Sequence, residues 1–222
     1  MEQADKDAQN PGRERILARI RAALREVAPQ HQASSTAGAI FAAVPYALGR
    51  FQQECAGNNT ECLVVPDMAA GTAAVATVLG SLPAGEIFVQ DAPSLRSMTS
   101  MWHEGRTVRW SSEGGPTESS SATISLAETL VAQTGSIFVS AACGGRGASV
   151  VAPVHIVVAG LEQLVPDLPA AFARLRESGA VAKNSYLCLI TGSSRTADIE
   201  KMIVMGAHGP RRLVVVLTLG SS

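Results

Sequence analysis

The feature that most restricts the fold is a succession of short Val-, Ile- and Leu-rich runs, each bounded by turn residues and separated from the next by a segment of helical spacing. From Cys62 the chain reads CLVVP, then a small-residue helix near Ala69 to Leu79, then IFV at Ile87 to Val89 and an apolar region around Val108. A short helix is expected over Leu126 to Ala132, a strand at Ser136 to Ser140, a Gly-rich CGGRG turn, and a strand at Val154 to Val158. A helix at Leu168 to Glu177, strand LCLIT, a helix from about Thr196 to Met205 and a last strand at Leu213 to Thr218 complete the series. Short apolar runs of this kind are strands buried on both faces. Their alternation with helices predicts an α/β fold, a largely parallel sheet covered by helices. Between them SSEGGPTESSS, Ser111 to Ser121, has no hydrophobic period and reads as a flexible surface loop.

Upstream, residues 1 to 12 form a polar tail, after which Ile16, Leu17, Ile20, Leu24 and Val27 recur at spacings of three and four until Pro29. That is an amphipathic helix. Its other faces carry Arg13, Arg15, Arg19, Arg21 and Arg25 against Glu14 and Glu26, either a solvated face or a docking surface for an acidic partner.

At 222 residues the chain can bury roughly 70% of its unfolded surface without disulfides or a structural metal. Eighteen basic residues against 19 acidic ones leave a charge of −1, so no global field draws nucleic-acid phosphates or an anionic membrane. The longest apolar stretch, Val150 to Leu161, is broken by His155 and falls well below the roughly 20 residues that span a bilayer. The first twelve residues hold no apolar signal segment, so a cytoplasmic protein is expected. Cys55, Cys62, Cys143 and Cys188 form no C-x-x-C pair and read as reduced thiols in the core.

Chemistry is expected at the carboxyl ends of strands, where loops lead into helix amino termini and unpaired N–H groups face outward. After LCLIT, GSSRTADIE (Gly192 to Glu200) places a glycine, the hydroxyls of Ser193, Ser194 and Thr196, and Arg195 at the opening of the expected helix. Glycine admits a close ligand, hydroxyls donate, and an arginine grips a carboxylate or phosphate with two parallel bonds. Helix capping also accounts for the hydroxyls and for Asp198 in the first turn, though not for Arg195. Thr134-Gly135 can present backbone N–H groups or simply end a helix. Arg146 adds a cation beside the CGGRG turn, where Cys143 is a conceivable thiol without an evident base. His155, alone within PVHIVV, reads as a hydrogen-bonded core residue rather than a metal ligand, and no metal site is expected. His208, before Gly209-Pro210 at the mouth of the last strand, can reach an anion or move a proton.

APVHIVV, EQLVPDLPAA and GSSRTADIEKMIVMGAHGPRRLVVVL, in that order, resemble the LUD-domain family, specifically its lactate-utilisation protein C (LutC/YkgG) group. The likeness covers roughly Ile124 to Leu217, and the SRTADIE run followed by G-x-HGPR is its specific part. It implies a fold similar to NagB, ribose-5-phosphate isomerase and CoA transferases. Residues 1–28 would then be tail and amphipathic helix and residues 29–222 one LUD-type domain. Carried over by position are Thr134, Gly135, Arg146, Ser149, Pro153, His155, Gly192, Ser194, Arg195, Thr196, Asp198, Glu200, Gly206, His208, Gly209 and Pro210. Three positions depart from the family pattern: Gln133 replaces the usual Glu before Thr-Gly, Ser193 replaces Pro, and Ala127-Glu128 replaces Ala-Asp. The first removes a carboxylate that could act as base or nucleophile.

The family role so implied is in oxidising L-lactate to pyruvate, with the iron–sulfur clusters on partner proteins and no cofactor in this chain. Arg195, Ser194, Thr196, Arg146 and His208 would hold a small anionic ligand of lactate or pyruvate type, with Gly192, Gly209, Thr134, Gly135 and Asp198 shaping the site. An independent enzyme of the CoA-transferase, sugar-phosphate isomerase or folate-cyclising type is a second expectation. It needs a catalytic carboxylate, for which Glu128, Asp198 and Glu200 are available, with His208 as proton carrier. A docking subunit working through its Arg-rich first helix is a third.

Overall fold

The computed structural model describes residues 11–25, 44–102, 105–197, 203–205 and 209–220. The chain divides between residues 42 and 43. In the first unit, helix α1 (Pro11–Ala23) carries the expected Ile16, Leu17 and Ile20 stripe, with Glu14 in its first turn and Arg21 in its last, as its dipole favours. Val27 and Pro29, the expected end of this helix, lie outside the described residues.

The second unit runs α2 (Ala47–Gly57), β1 (Thr60–Val65), α3 (Met68–Gly80), β2 (Glu86–Val89), α4 (Pro93–Met98), β3 (Thr107–Trp110) and β4 (Ser120–Leu126). It continues with β5 (Thr129–Val131), β6 (Ser136–Ser140), β7 (Val154–Gly160), β8 (Leu164–Val165), α5 (Leu168–Glu177) and α6 (Ala180–Lys183). Strands β9 (Leu187–Ile190), β10 (Arg195–Ala197), β11 (Ile203–Met205) and β12 (Arg212–Thr218) follow.

Six of these strands make a wholly parallel sheet in the order β1-β12-β7-β4-β2-β3. Its central strands are buried on both faces, so β12 and β7 are near-continuous apolar runs rather than alternating ones. One face packs Val154, Ile156, Val158, Val214 and Val216 against Val75, Val78 and Leu79 of α3 and Leu95 and Met98 of α4. The side chain of Asp67 caps α3 by accepting from the Ala70 amide at 2.8 Å. Close approach of that helix follows from its small residues: Gly71 lies against Thr218 and Val216.

The opposite face packs Val157, Ala159, Leu213, Val215 and Leu217 against Phe51 and Cys55 of α2 and against a second sheet through Leu130, Ile137 and Val139. That sheet is four-stranded, β8-β5-β6-β9, with β5–β6 and β6–β9 antiparallel and β5–β8 parallel. Its outer face receives Ala171 and Leu175 of α5 against Val131 and Phe138.

Three local expectations are corrected. Leu126 to Ala132 is not a helix: Leu126 closes β4, and Thr129–Val131 is a strand held between β6 and β8. Thr196 to Met205 is not one helix either, because Arg195–Ala197 and Ile203–Met205 pair as antiparallel strands, with Thr196 opposite Val204. Segment Ser111 to Ser121 is tied down rather than loose. The Ser111 hydroxyl accepts from the Asp91 amide at 2.9 Å, and the hydroxyls of Thr117 and Ser120 each donate to the Glu86 carboxylate at 2.7 Å. No helix among the described residues is long and apolar enough to cross a membrane.

Candidate functional site

Gly192, Ser194, Gly209, Thr134 and Gly135 gather at the amino edge of the parallel sheet, neither at a helix start nor at the carboxyl edge where the site is expected. Gly192 to Ser194 leaves β9 and runs back over the entrance to β12, where the Ser194 amide donates to the Pro210 carbonyl at 2.9 Å. Gly209 faces Ser194, and a Cβ there would come 3.2 Å from the Ser194 Cβ. On the far side of the same turn the Arg211 amide donates to the Pro153 carbonyl at 2.9 Å, fixing the chain beside the start of β7. Thus the GSS and GPR segments, 17 positions apart, form one structure. Arg195 and Thr196 enter β10. Asp198, Glu200, Gly206 and His208 lie outside the described residues.

Thr134 and Gly135 join this edge through α2. The Asn58 side chain donates to the Thr134 carbonyl at 2.9 Å, and Gly192 packs on the Asn58 carbonyl from the other side. A hydroxyl chain, Thr134 to Ser136 to Thr191 with 2.7 Å links, runs across the ends of β6 and β9. Asn58, Ser136 and Thr191 were not anticipated from the sequence. Asn58 reaches Thr134 across 76 positions and Ser136 reaches Thr191 across 55, which no local pattern announces.

Beneath these turns a polar row crosses the otherwise apolar sheet. Thr60, Leu213, His155 and Thr123 are register partners on β1, β12, β7 and β4 and face the second sheet. Thr60, His155 and Thr123 are all buried. Nε2 of His155 is 2.8 Å from the Ser125 hydroxyl, whereas its Nδ1, the hydroxyls of Thr60 and Thr123, and that of Ser193 have no hydrogen-bond partner among the described residues. Burial pushes the His155 imidazole down to about 4, so it is neutral at physiological pH. The signal for this row is in the sequence: Thr123 and Ser125 alternate with Ala122, Ile124 and Leu126 along β4.

Other expected members are elsewhere. Arg146 follows the far end of β6, about 15 Å along that strand from Gly135, with its guanidinium over the Tyr186 ring at 5.5 Å. It does not share a cradle with Thr134 or Gly192. Glu128, half-buried between β4 and β5, donates its amide to the Phe138 carbonyl at 2.7 Å. Cys143 is buried, and desolvation followed by the neighbouring Cys188 pushes its thiol up to about 11, which leaves it protonated. All four cysteines are free, Cys55 and Cys143 fully buried and Cys62 and Cys188 half-buried. The side-chain carbonyl of Gln133 is buried without a partner among the described residues.

At the opposite, carboxyl edge, a cleft of about 540 Å³ lies over the ends of β4, β7 and β12, between α4 and α5. Of the residues chosen from sequence only Ala127 lines it.

With this geometry in place, comparison with known proteins identifies the fold's kin. The LUD domain matches residues 48–218. The chain belongs to the LUD-domain family. Among curated relatives of this LUD chain, lactate utilization protein C of Bacillus pumilus is 32% identical over 129 residues, 53% of this chain and 53% of that protein. The Bacillus velezensis protein of the same name is 26% identical over 182 residues, 75% of each chain. Across the first such relatives, from Oceanobacillus iheyensis and B. pumilus, the matched stretch spans 42% and 53% of their length, so about half. A crystal structure of a DUF162 family protein from Deinococcus radiodurans superposes with a TM-score of 0.59 at 21% identity, covering 78% of this chain and 96% of that one. At that identity the likeness shows the LUD fold alone.

Proposed function

We propose that this LUD-domain chain is a non-cluster component of a lactate-utilisation system and binds a small carboxylate, lactate or pyruvate, at the amino-edge turns. The curated relatives named lactate utilization protein C support the first part. The second part is carried by one observation: the Ser194–Pro210 bond joins the two segments that hold the family's specific motif, above a buried row whose hydroxyls and imidazole Nδ1 have no partner among the described residues. Unpartnered buried donors and acceptors cost free energy, and a bound polar molecule offsets that cost.

In this reading Arg195 takes the carboxylate with two parallel N–H bonds, and His208 pairs with the 2-hydroxyl and holds its proton. The hydroxyls of Ser194 and Thr196 orient the ligand. Partner proteins bearing iron–sulfur clusters take the electrons, chemistry that their clusters supply. Gln133 in place of Glu weighs against an independent CoA-transfer or isomerase reaction, which needs a carboxylate at that point.

The test is titration of the purified chain with L-lactate and pyruvate, combined with growth on lactate of a strain relying on the wild type or on Arg195→Ala. Wild-type binding, lost together with growth in a variant that melts normally, is the expected result. A folded Arg195→Ala protein that sustains full lactate-dependent growth overturns the proposal.

A further inference from the structure

The carboxyl-edge cleft takes no part in that reading, yet it lies where an open α/β sheet places its ligands. Strand β2 leads outward to β3, whereas its neighbour β4 leads the other way, through the second sheet, to β7 and then β12. Adjacent strands whose connections depart in opposite directions leave a crevice at their carboxyl ends, the usual ligand position in such sheets. The cleft lies beside that crevice, over the ends of β4, β7 and β12, with α4, which follows β2, as one wall, and two side-chain bonds brace the surrounding turns. The Gln90 side chain accepts from the Leu126 amide at 2.9 Å, and the Gln163 side chain accepts from the Gly160 amide at 2.7 Å.

The floor is small and apolar, with Ala159 and Gly160 at the end of β7, and Ser94 and Ser97 of α4 form one wall. Two charged groups, Glu162 and Arg174, form the other. Arg174 is anchored by one Nη1 bond to the Glu162 carbonyl at 2.8 Å. Neither its remaining donors nor the Glu162 carboxylate has an ion-pair partner among the described residues. The Glu162 carboxylate lies over Gly160 so closely that a Cβ there would meet its Oε2 at 2.2 Å. The glycine therefore keeps an acceptor at the mouth of the cleft.

A guanidinium with free N–H groups suits a phosphate, a free carboxylate suits the vicinal hydroxyls of a ribose, and a small apolar floor suits a base. About 540 Å³ is several times what lactate fills and lies in the range of pockets for larger organic ligands. We infer that this cleft is a nucleotide site, with Arg174 on the phosphate and Glu162 on the ribose hydroxyls.

The experiment is calorimetric titration of the full-length chain with AMP, with lactate titrated in parallel so that the amino-edge site is read separately. Binding is expected, weakened roughly tenfold or more in Arg174→Ala and in Glu162→Gln, the loss that follows when a charged hydrogen bond is removed. The Glu162→Gln loss disappears when 2′,3′-dideoxyadenosine monophosphate replaces AMP. Glu162 is exposed, so this variant keeps the proposal testable even if Arg174→Ala loosens the turn. No heat of binding at about 1 mM AMP, or affinity unchanged in both variants, overturns the assignment.

Discussion

His155 and Ser125 meet across β7 and β4, Nε2 2.8 Å from Oγ, with His155 only 1% exposed and Ser125 not at all. The folded chain holds this imidazole near 4, against an ordinary value of 6.5, because burial disfavours its charged form. Between those values the unfolded chain binds a proton that the folded chain does not, so this contribution to stability is complete above pH 6.5 and is lost as pH falls toward 4. Its size is on the order of 3 kcal/mol. Urea unfolding across this range is expected to show a steeper acid loss in the wild type than in His155→Gln; parallel curves would refute it.

Glu86 gives a second acid-sensitive contact. Burial pushes its carboxyl up, but the hydroxyls of Ser120 and Thr117 and the Arg109 guanidinium outweigh that and hold it below the usual range. A lowered carboxylate contributes stability above its unfolded pKa, and that contribution is lost as pH falls through the folded value. Glu86→Gln is expected to cost about 1–3 kcal/mol at neutral pH, read as a lower urea midpoint.

Gly135 and Gly192 dock on the end of α2 at φ +62° and +83°. An alanine Cβ at 135 would lie 2.8 Å from the Glu54 Cβ, and at 192 only 2.3 Å from the Asn58 carbonyl oxygen. Each Gly→Ala change is expected to cost about 2–5 kcal/mol, backbone strain and overpacking together. Chemical denaturation checks this: a midpoint within error of wild type would show that the turns relax freely.

For Cys143, a thiol pushed up to about 11 and 1% exposed should react with iodoacetamide roughly a hundredfold or more slower than a free thiol at neutral pH. Mass spectrometry of the native protein after timed labelling measures this directly. Rapid modification of Cys143 in the folded chain would contradict the assignment of a protonated, unreactive group.

The parallel sheet was legible wherever a strand is apolar on both sides. The strands expected at Val154 to Val158 and Leu213 to Thr218 are found within Val154–Gly160 and Arg212–Thr218, and the helix expected at Leu168 to Glu177 is α5. Strand β5 was not legible, since TLV is three residues long and is a strand only because β6 and β8 flank it. The β10–β11 pair failed for a different reason. Ile199, Met202 and Ile203 repeat as a helix would, but β-branched Thr196 and Val204 are opposite each other, and pairing overrides local spacing. At the candidate site the structure brings Ser194, Gly209, Thr134 and Gly192 to one edge and leaves Arg146 beyond the other end of β6, a separation that local motifs do not encode.

What the sequence determined by itself is the order of buried strands and covering helices, since apolar run length and turn residues act over a few positions and need no knowledge of partners. Only the tertiary structure decided which edge of the sheet each motif reaches. That depends on β6 and β9 pairing in a second sheet packed on the parallel one and on bonds such as Asn58 to Thr134, made between groups far apart in the chain. A hydrogen bond or a burial cost is set by what lies within a few ångströms in space, and proximity of that kind leaves no periodic trace in a linear sequence.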